Sequence, residues 1–177
     1  MSAIQLERLH EHYIVPAGYN VAESSNGTVQ TISLMWVAGE EPETVYEVSL
    51  RSADYAYLAE HNCKHVDVWR TCKAEYEAVL SPFARAVFAC IAAQCTIWVS
   101  DEQQTNDMAR FWAYRLHESV AVMNREVHYI KIDMDSQRRP TVEQIKSGED
   151  LSDIYLPKAW GTDAARLGQG FLIAPTA

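Results

Sequence analysis

Seven consecutive residues gather most of the locally clustered reactive groups of this chain: His61-Asn62-Cys63-Lys64-His65-Val66-Asp67. Imidazole, thiolate and carboxylate all ligate a borderline-soft ion such as zinc, so His61, Cys63 and His65 form a candidate metal set. A structural zinc site takes four ligands, generally as two separated pairs, and Cys72 is the only nearby thiol that could join. The spacing matches no recognised zinc pattern, and the expectation is a polar connector that folds without metal. No cofactor is expected elsewhere in the chain. The same stretch raises a second chemistry, in which Lys64 and the two imidazoles stabilise a Cys63 thiolate for nucleophilic attack. Such a nucleophile also needs an orienting group and an oxyanion site, and no cysteine-hydrolase signature surrounds it.

A third constellation is made of carboxylates. Ser100-Asp101-Glu102 follows one expected strand, and Asp133-Met134-Asp135 closes another. If those strands are parallel and adjacent, their ends share the carboxyl edge at which open α/β sheets bind ligands. Asp101, Asp133 and Asp135 would then be the catalytic candidates of a small enzyme acting on a nucleotide or another phosphate-bearing metabolite, possessing the ligands for a divalent cation. The bland counterpart is that Asp101 starts a helix and Asp135 a turn. No P-loop, dinucleotide fingerprint, Gly-x-Ser-x-Gly elbow or two-histidine metalloprotease helix accompanies them. Gly168-Gln169-Gly170 reads as a helix stop.

Charge points to a different class. The 177 residues carry 15 Lys plus Arg against 24 Asp plus Glu, a net charge of −9. Such a chain repels phosphate backbones, and no basic cluster interleaved with aromatics offsets this, so direct nucleic-acid binding is not expected. Acidity is concentrated early: the first 53 residues hold seven acids and two bases, and Glu40-Glu41-Pro42-Glu43 forms an acidic turn. The leading expectation is an acidic binding or regulatory protein that docks a basic protein partner through Glu40, Glu41 and Glu43. Solubility alone is the competing explanation of the same acids.

The elements that position these groups follow from periodicity. Leu6, Leu9 and Tyr13 at helical spacing predict a short helix from Ser2 to about His12. Asn26-Gly27 is a strong hairpin signal, because both residues tolerate positive φ. Strands are predicted at 28–37 and 44–51, with a short helix at 54–61 and a strand or irregular turn at 65–69. The stripe from Cys72 to Ile91 predicts helix, broken or kinked at Ser81-Pro82. A strand at 95–99, a helix with Met108, Phe111, Trp112 and Leu116 on its apolar face, and a strand at 127–134 predict one β-α-β unit. Thr141 to Ser147 reads as a capped helix. From about residue 148 the chain reads as irregular, apart from a short helix after Thr162 and an apolar Phe171-Leu172-Ile173.

The fold class expected is therefore α+β: a single domain over 1–177, an antiparallel β-meander followed by helices and one β-α-β unit, with helices packed on one face of the sheet. Ferredoxin-like and acetyltransferase-like arrangements each accommodate parts of this order, a correspondence that carries no function. Ile32, Leu34, Val87, Ile91, Ile97, Val99, Trp112, Leu116, Ile130 and Ile132 are the expected core.

No signal-like N-terminus and no apolar run of about 20 residues is present, so neither export nor a membrane span is expected. Four cysteines in a chain of this size read as reduced thiols of a cytoplasmic protein. Cys90 and Cys95 are expected in the core, Cys72 partly shielded, and Cys63 the most accessible.

Overall fold

Turn chemistry and strand alternation organise the first fifty residues. The computed structural model describes residues 4–5, 7–11, 13–53, 55–100, 106–122, 125–133, 139–160 and 168–176. The elements run α1 (Glu7–His10), β1 (Tyr19–Ser25), β2 (Val29–Trp36), β3 (Glu43–Ser52), α2 (Ala56–Glu60), β4 (Cys63–Arg70) and, after a 3-10 turn at Ala74–Tyr76, α3 (Glu77–Ala92). They continue as β5 (Thr96–Ser100), α4 (Asn106–Ala121), β6 (Arg125–Lys131), β7 (Thr141–Ile145), α5 (Gly148–Asp150), a π-helical turn at Leu151–Tyr155, α6 (Leu156–Ala159) and β8 (Gln169–Pro175). The class is α+β, as the periodicity predicts. The chain divides into two compact units, Met1–Ser52 with His65–Gln94, and Ala53–Lys64 with Cys95–Ala177.

In the first unit β1, β2 and β3 are antiparallel neighbours. Asn26 builds the β1–β2 turn as its sequence predicts. Its Oδ1 accepts from the N–H groups of Thr28 (3.0 Å) and Val29 (2.8 Å), and Gly27 adopts φ +88°. On β2, Ile32 and Leu34 are buried between half-buried neighbours, the alternation of a strand with one covered face. Phe83 of α3 meets Tyr46 of β3 and Tyr13, in both cases edge-on with centroids 5.4 Å apart. The segment ahead of α1 is held by two glutamine side chains that read its backbone. Gln30 accepts from the Ile4 N–H (2.8 Å) and donates to the Ile4 carbonyl (2.9 Å); Gln94 does the same for Gln5 at 2.8 and 3.3 Å.

The break expected at Ser81-Pro82 is absent, and α3 runs through it. Pro82 lies in the second turn on an exposed stretch, and the carbonyl deprived of its N–H is that of exposed Ala78, which water can satisfy. A proline so near a helix N-terminus removes one bond without opening the core.

In the second unit β8 is antiparallel to both β5 and β6, and β6 pairs antiparallel with β7. Strands β5 and β6 are therefore parallel to each other, joined through α4, but not adjacent: β8 lies between them. Successive residues of β8 serve opposite faces. Leu172 joins Trp98, Ile130, Ala53, Leu58 and Cys63 in one core cluster. Phe171 meets Tyr129 and Trp160 on the other face.

Two expectations fail here. The segment after residue 148 is not irregular: β8 is a central strand, buried from Gln169 to Ile173. Thr141–Ser147 is not a helix: its β-branched Thr141, Val142 and Ile145 pair along β6 as β7. The helix cap belongs to Ser147, whose Oγ accepts from the Asp150 N–H at 3.0 Å. The helix expected after Thr162 lies outside the described residues. Of the ten expected core residues nine are buried and Ile132, just beyond β6, is half-buried.

Candidate functional site

The acidic turn sits on a built corner of the first unit. Counting outward from Asn26-Gly27, the hairpin register places Tyr19 opposite Trp36, and their rings meet at 4.9 Å. Tyr76, from the 3-10 turn, completes the cluster at 6.4 Å from Tyr19 and 6.3 Å from Trp36. Two glycines make room for the indole. A Cβ on Gly18, which adopts φ +83°, would stand 2.5 Å from Trp36 Cζ3, and one on Gly39 would stand 3.3 Å from Nε1. The Trp36 edge thus lies against the β2–β3 turn that carries Glu40 and Glu41.

The three carboxylates of that turn differ. Glu40 and Glu41 are exposed. Glu43, the first residue of β3, accepts two hydrogen bonds from Lys73 Nζ (2.7 and 2.8 Å) and one from Tyr76 Oη (3.1 Å). The Lys73 hydrogen bond holds the Glu43 carboxyl below its ordinary range. Lys73 also lies 5.8 Å from the Tyr76 ring centroid. Glu43 is engaged within the chain, and Glu40 and Glu41 face outward. The aromatic cluster was only half legible: the turn fixes the Tyr19–Trp36 pair, whereas Tyr76 arrives from forty residues further on.

The His61–Asp67 stretch does not converge. His61 Nδ1 lies 2.7 Å from the Tyr57 carbonyl, with its ring against the Tyr57 ring. Cys63 points into the Trp98–Leu172–Ile130 cluster. His65 Nδ1 lies 3.4 Å from Asp67, and Arg51 Nε lies 3.7 Å from the same carboxylate. The adjacent His65 imidazole is the main reason the Asp67 carboxyl is held below its ordinary range. Among the described residues no three His, Cys, Asp or Glu side chains come together as a metal group.

The thiol expectation is overturned. Cys63 is 1% exposed and Cys72 is the exposed cysteine, with Cys90 and Cys95 in the core. All four are free thiols. Burial pushes the Cys63 thiol up to about 11, the opposite of what a nucleophile needs. The misreading has a simple origin. Residues 61–67 look polar as a group, but β4 is buried where it starts, and Cys63 enters an apolar cluster there. The stripe assigned from Cys72 begins too early, because α3 starts at Glu77. A thiol reagent applied to native protein at pH 8 is therefore expected to label Cys72 first and Cys63 only on unfolding. Peptide mapping that finds Cys63 modified ahead of Cys72 would reverse the assignment.

Of the carboxyl-edge candidates, Asp101 and Asp135 lie outside the described residues, and Asp133 is exposed just beyond β6. Because β8 separates β5 from β6, the ends of those two strands share an edge but stand about two strand spacings apart, roughly 9.5 Å. The adjacency on which the three-carboxylate reading was conditioned is not found.

No helix among the described residues is long and apolar enough to cross a membrane. No protein-family model, curated protein or solved structure matches the chain.

Proposed function

We propose that this protein is an acidic binding module that recognises a basic protein partner through the corner formed by Glu40, Glu41 and the Tyr19–Trp36–Tyr76 cluster. The observation that carries the reading is the contrast within the turn: Glu43 is engaged by Lys73 and Tyr76, while Glu40 and Glu41 face outward beside a packed indole. Exposed carboxylates next to a rigid aromatic platform suit Lys- or Arg-bearing segments, with charge steering the encounter and the rings supplying contact area. An arginine-rich peptide titrated onto the protein should associate more slowly as salt rises. The double reversal Glu40→Lys, Glu41→Lys should weaken it by about tenfold, within the range for a few desolvated charge contacts. Glu43→Gln should change it far less. Affinity and salt dependence unaltered by the double reversal would remove this surface from the account.

A second reading rests on the parallel orientation of β5 and β6, which sends both strand ends to one edge. There the protein would be a small enzyme for a nucleotide or phosphate-bearing metabolite. A nucleotide-dependent rise in melting temperature that needs Mg²⁺ and vanishes in Asp133→Asn would favour it.

A further inference from the structure

The outer strand of the first unit, β1, pairs with β2 alone. Bonded and non-bonded pairs alternate along an antiparallel ladder. The Asn26 N–H donates to the Val29 carbonyl (3.2 Å) and the Val37 N–H to the Gly18 carbonyl (2.8 Å), so the even-numbered positions of β1 are the ones bonded to β2. Tyr19, Val21, Glu23 and Ser25 therefore turn their N–H and C=O groups to the free edge. The Tyr19 N–H is taken by the Pro16 carbonyl at 3.1 Å. For the backbone groups of Val21, Glu23 and Ser25 no partner stands among the described residues. Such an edge is a template for another strand, and proteins ordinarily blunt it with proline, lysine, a bulge or a covering segment. β1 has none of these: its seven residues include no proline or lysine, its register with β2 is unbroken from Tyr19 to Ser25, and none of them is buried. Its one charge, Glu23, is drawn onto β2, where the Gln30 side chain donates to it at 2.6 Å. The edge strand of the second unit is guarded in the ordinary way: β7 has five residues, set between Pro140 and Lys146.

We infer that β1 is a strand-accepting edge and that the basic protein partner docks there as an added, extended strand; the inference rests on the reading of Glu40 and Glu41 as that partner's charge contacts. Tyr19, at one end of β1, stands opposite Trp36, whose indole lies against the turn that carries the two outward carboxylates. A segment laid along β1 thus runs to the acidic corner. Main-chain hydrogen bonds supply affinity, and the carboxylates select Lys- or Arg-bearing chains. A second copy is a poor occupant, since each chain carries a net charge of −9.

The test titrates the full chain with a peptide alternating arginine and threonine, and with two forms of it N-methylated at alternate residues, one in each phase. An added strand bonds to its neighbour through every second residue. One methylated phase should therefore lose at least about tenfold in affinity, while the other binds like the parent peptide. Peptide binding should also slow hydrogen exchange at the amides of Val21, Glu23 and Ser25. Glu23→Pro removes an outward N–H and spares the pairing with β2, so it should fold and lose about tenfold in peptide affinity. Glu23→Gln should bind as wild type does. The methylated peptides probe the unaltered protein, and they decide the matter if Glu23→Pro does not fold. Equal binding of the parent and both methylated peptides would overturn the strand edge; the acidic corner would still stand if Glu40→Lys, Glu41→Lys weakened that binding. A methylation effect untouched by the double reversal would keep the edge and remove the corner. A dimer of the protein alone that Glu23→Pro dissociates would give the edge to a second copy and overturn the partner.

Discussion

Gly170→Ala is expected to lower the melting temperature by about 10 °C. Gly170 lies in β8, paired with Ser100 on one side and Ile130 on the other. A Cβ there would stand 2.3 Å from the Val99 carbonyl oxygen and 2.6 Å from Trp98 Cη2. Neither neighbour can swing away. The oxygen is backbone of a paired strand, and the indole is buried in the cluster with Leu58 and Leu172. Overpacking of this kind costs about 3 kcal/mol, and each kcal/mol moves the melting point of a chain this size by roughly 3 °C. The backbone conformation is not at issue, since Gly170 has no positive φ. Gly27→Ala provides the contrast: the space beside Gly27 is open, and only its φ of +88° is strained, which costs about 1 kcal/mol. Thermal melts of the two variants that came out alike would show that β8 does not sit tightly between its neighbours.

The second large effect is expected in the first unit. Phe83 is fully buried on α3, edge-on to both Tyr13 and Tyr46. It ties the segment after α1, the strand β3 and the helix to one ring. Phe83→Ala removes that ring from a site whose neighbours are themselves fixed, Tyr46 by its strand and Tyr13 by the Leu9 carbonyl that accepts its N–H at 2.9 Å. Limited collapse leaves a cavity, and the loss should be about 4 kcal/mol by urea unfolding. Phe83→Leu should recover more than half of it, because most of the volume is restored. A loss below about 1 kcal/mol would mean that the three rings do not form the core of this unit.

Local chemistry determined much of the architecture. The Asn26-Gly27 turn, the alternation along β2 and β3 and the helical stripes of α3 and α4 each follow from residues close in sequence, where turn geometry and side-chain period act directly. The core residues on those elements could be named from the same pattern. The acidic turn was equally visible, and its exposed carboxylates Glu40 and Glu41 are where the sequence puts them.

Long-range pairing decided the rest. Gln169-Gly170-Phe171-Leu172-Ile173 carries no alternation because both of its faces are buried, so only its place between β5 and β6 makes it a strand. Thr141–Ile145 has a helix-like cap yet finds β6 as a partner, and pairing outweighs a weak local preference. That same insertion of β8 separates the two strand ends whose carboxylates the sequence appeared to bring together. Glu43 looks in sequence like its exposed neighbours, and only the approach of Lys73 and Tyr76 engages it. Cys63 and Lys64 are adjacent in a polar stretch, and both are buried, on opposite faces of one strand. Burial is a property of what the rest of the chain brings to a residue, and a neighbour list along the sequence does not contain it.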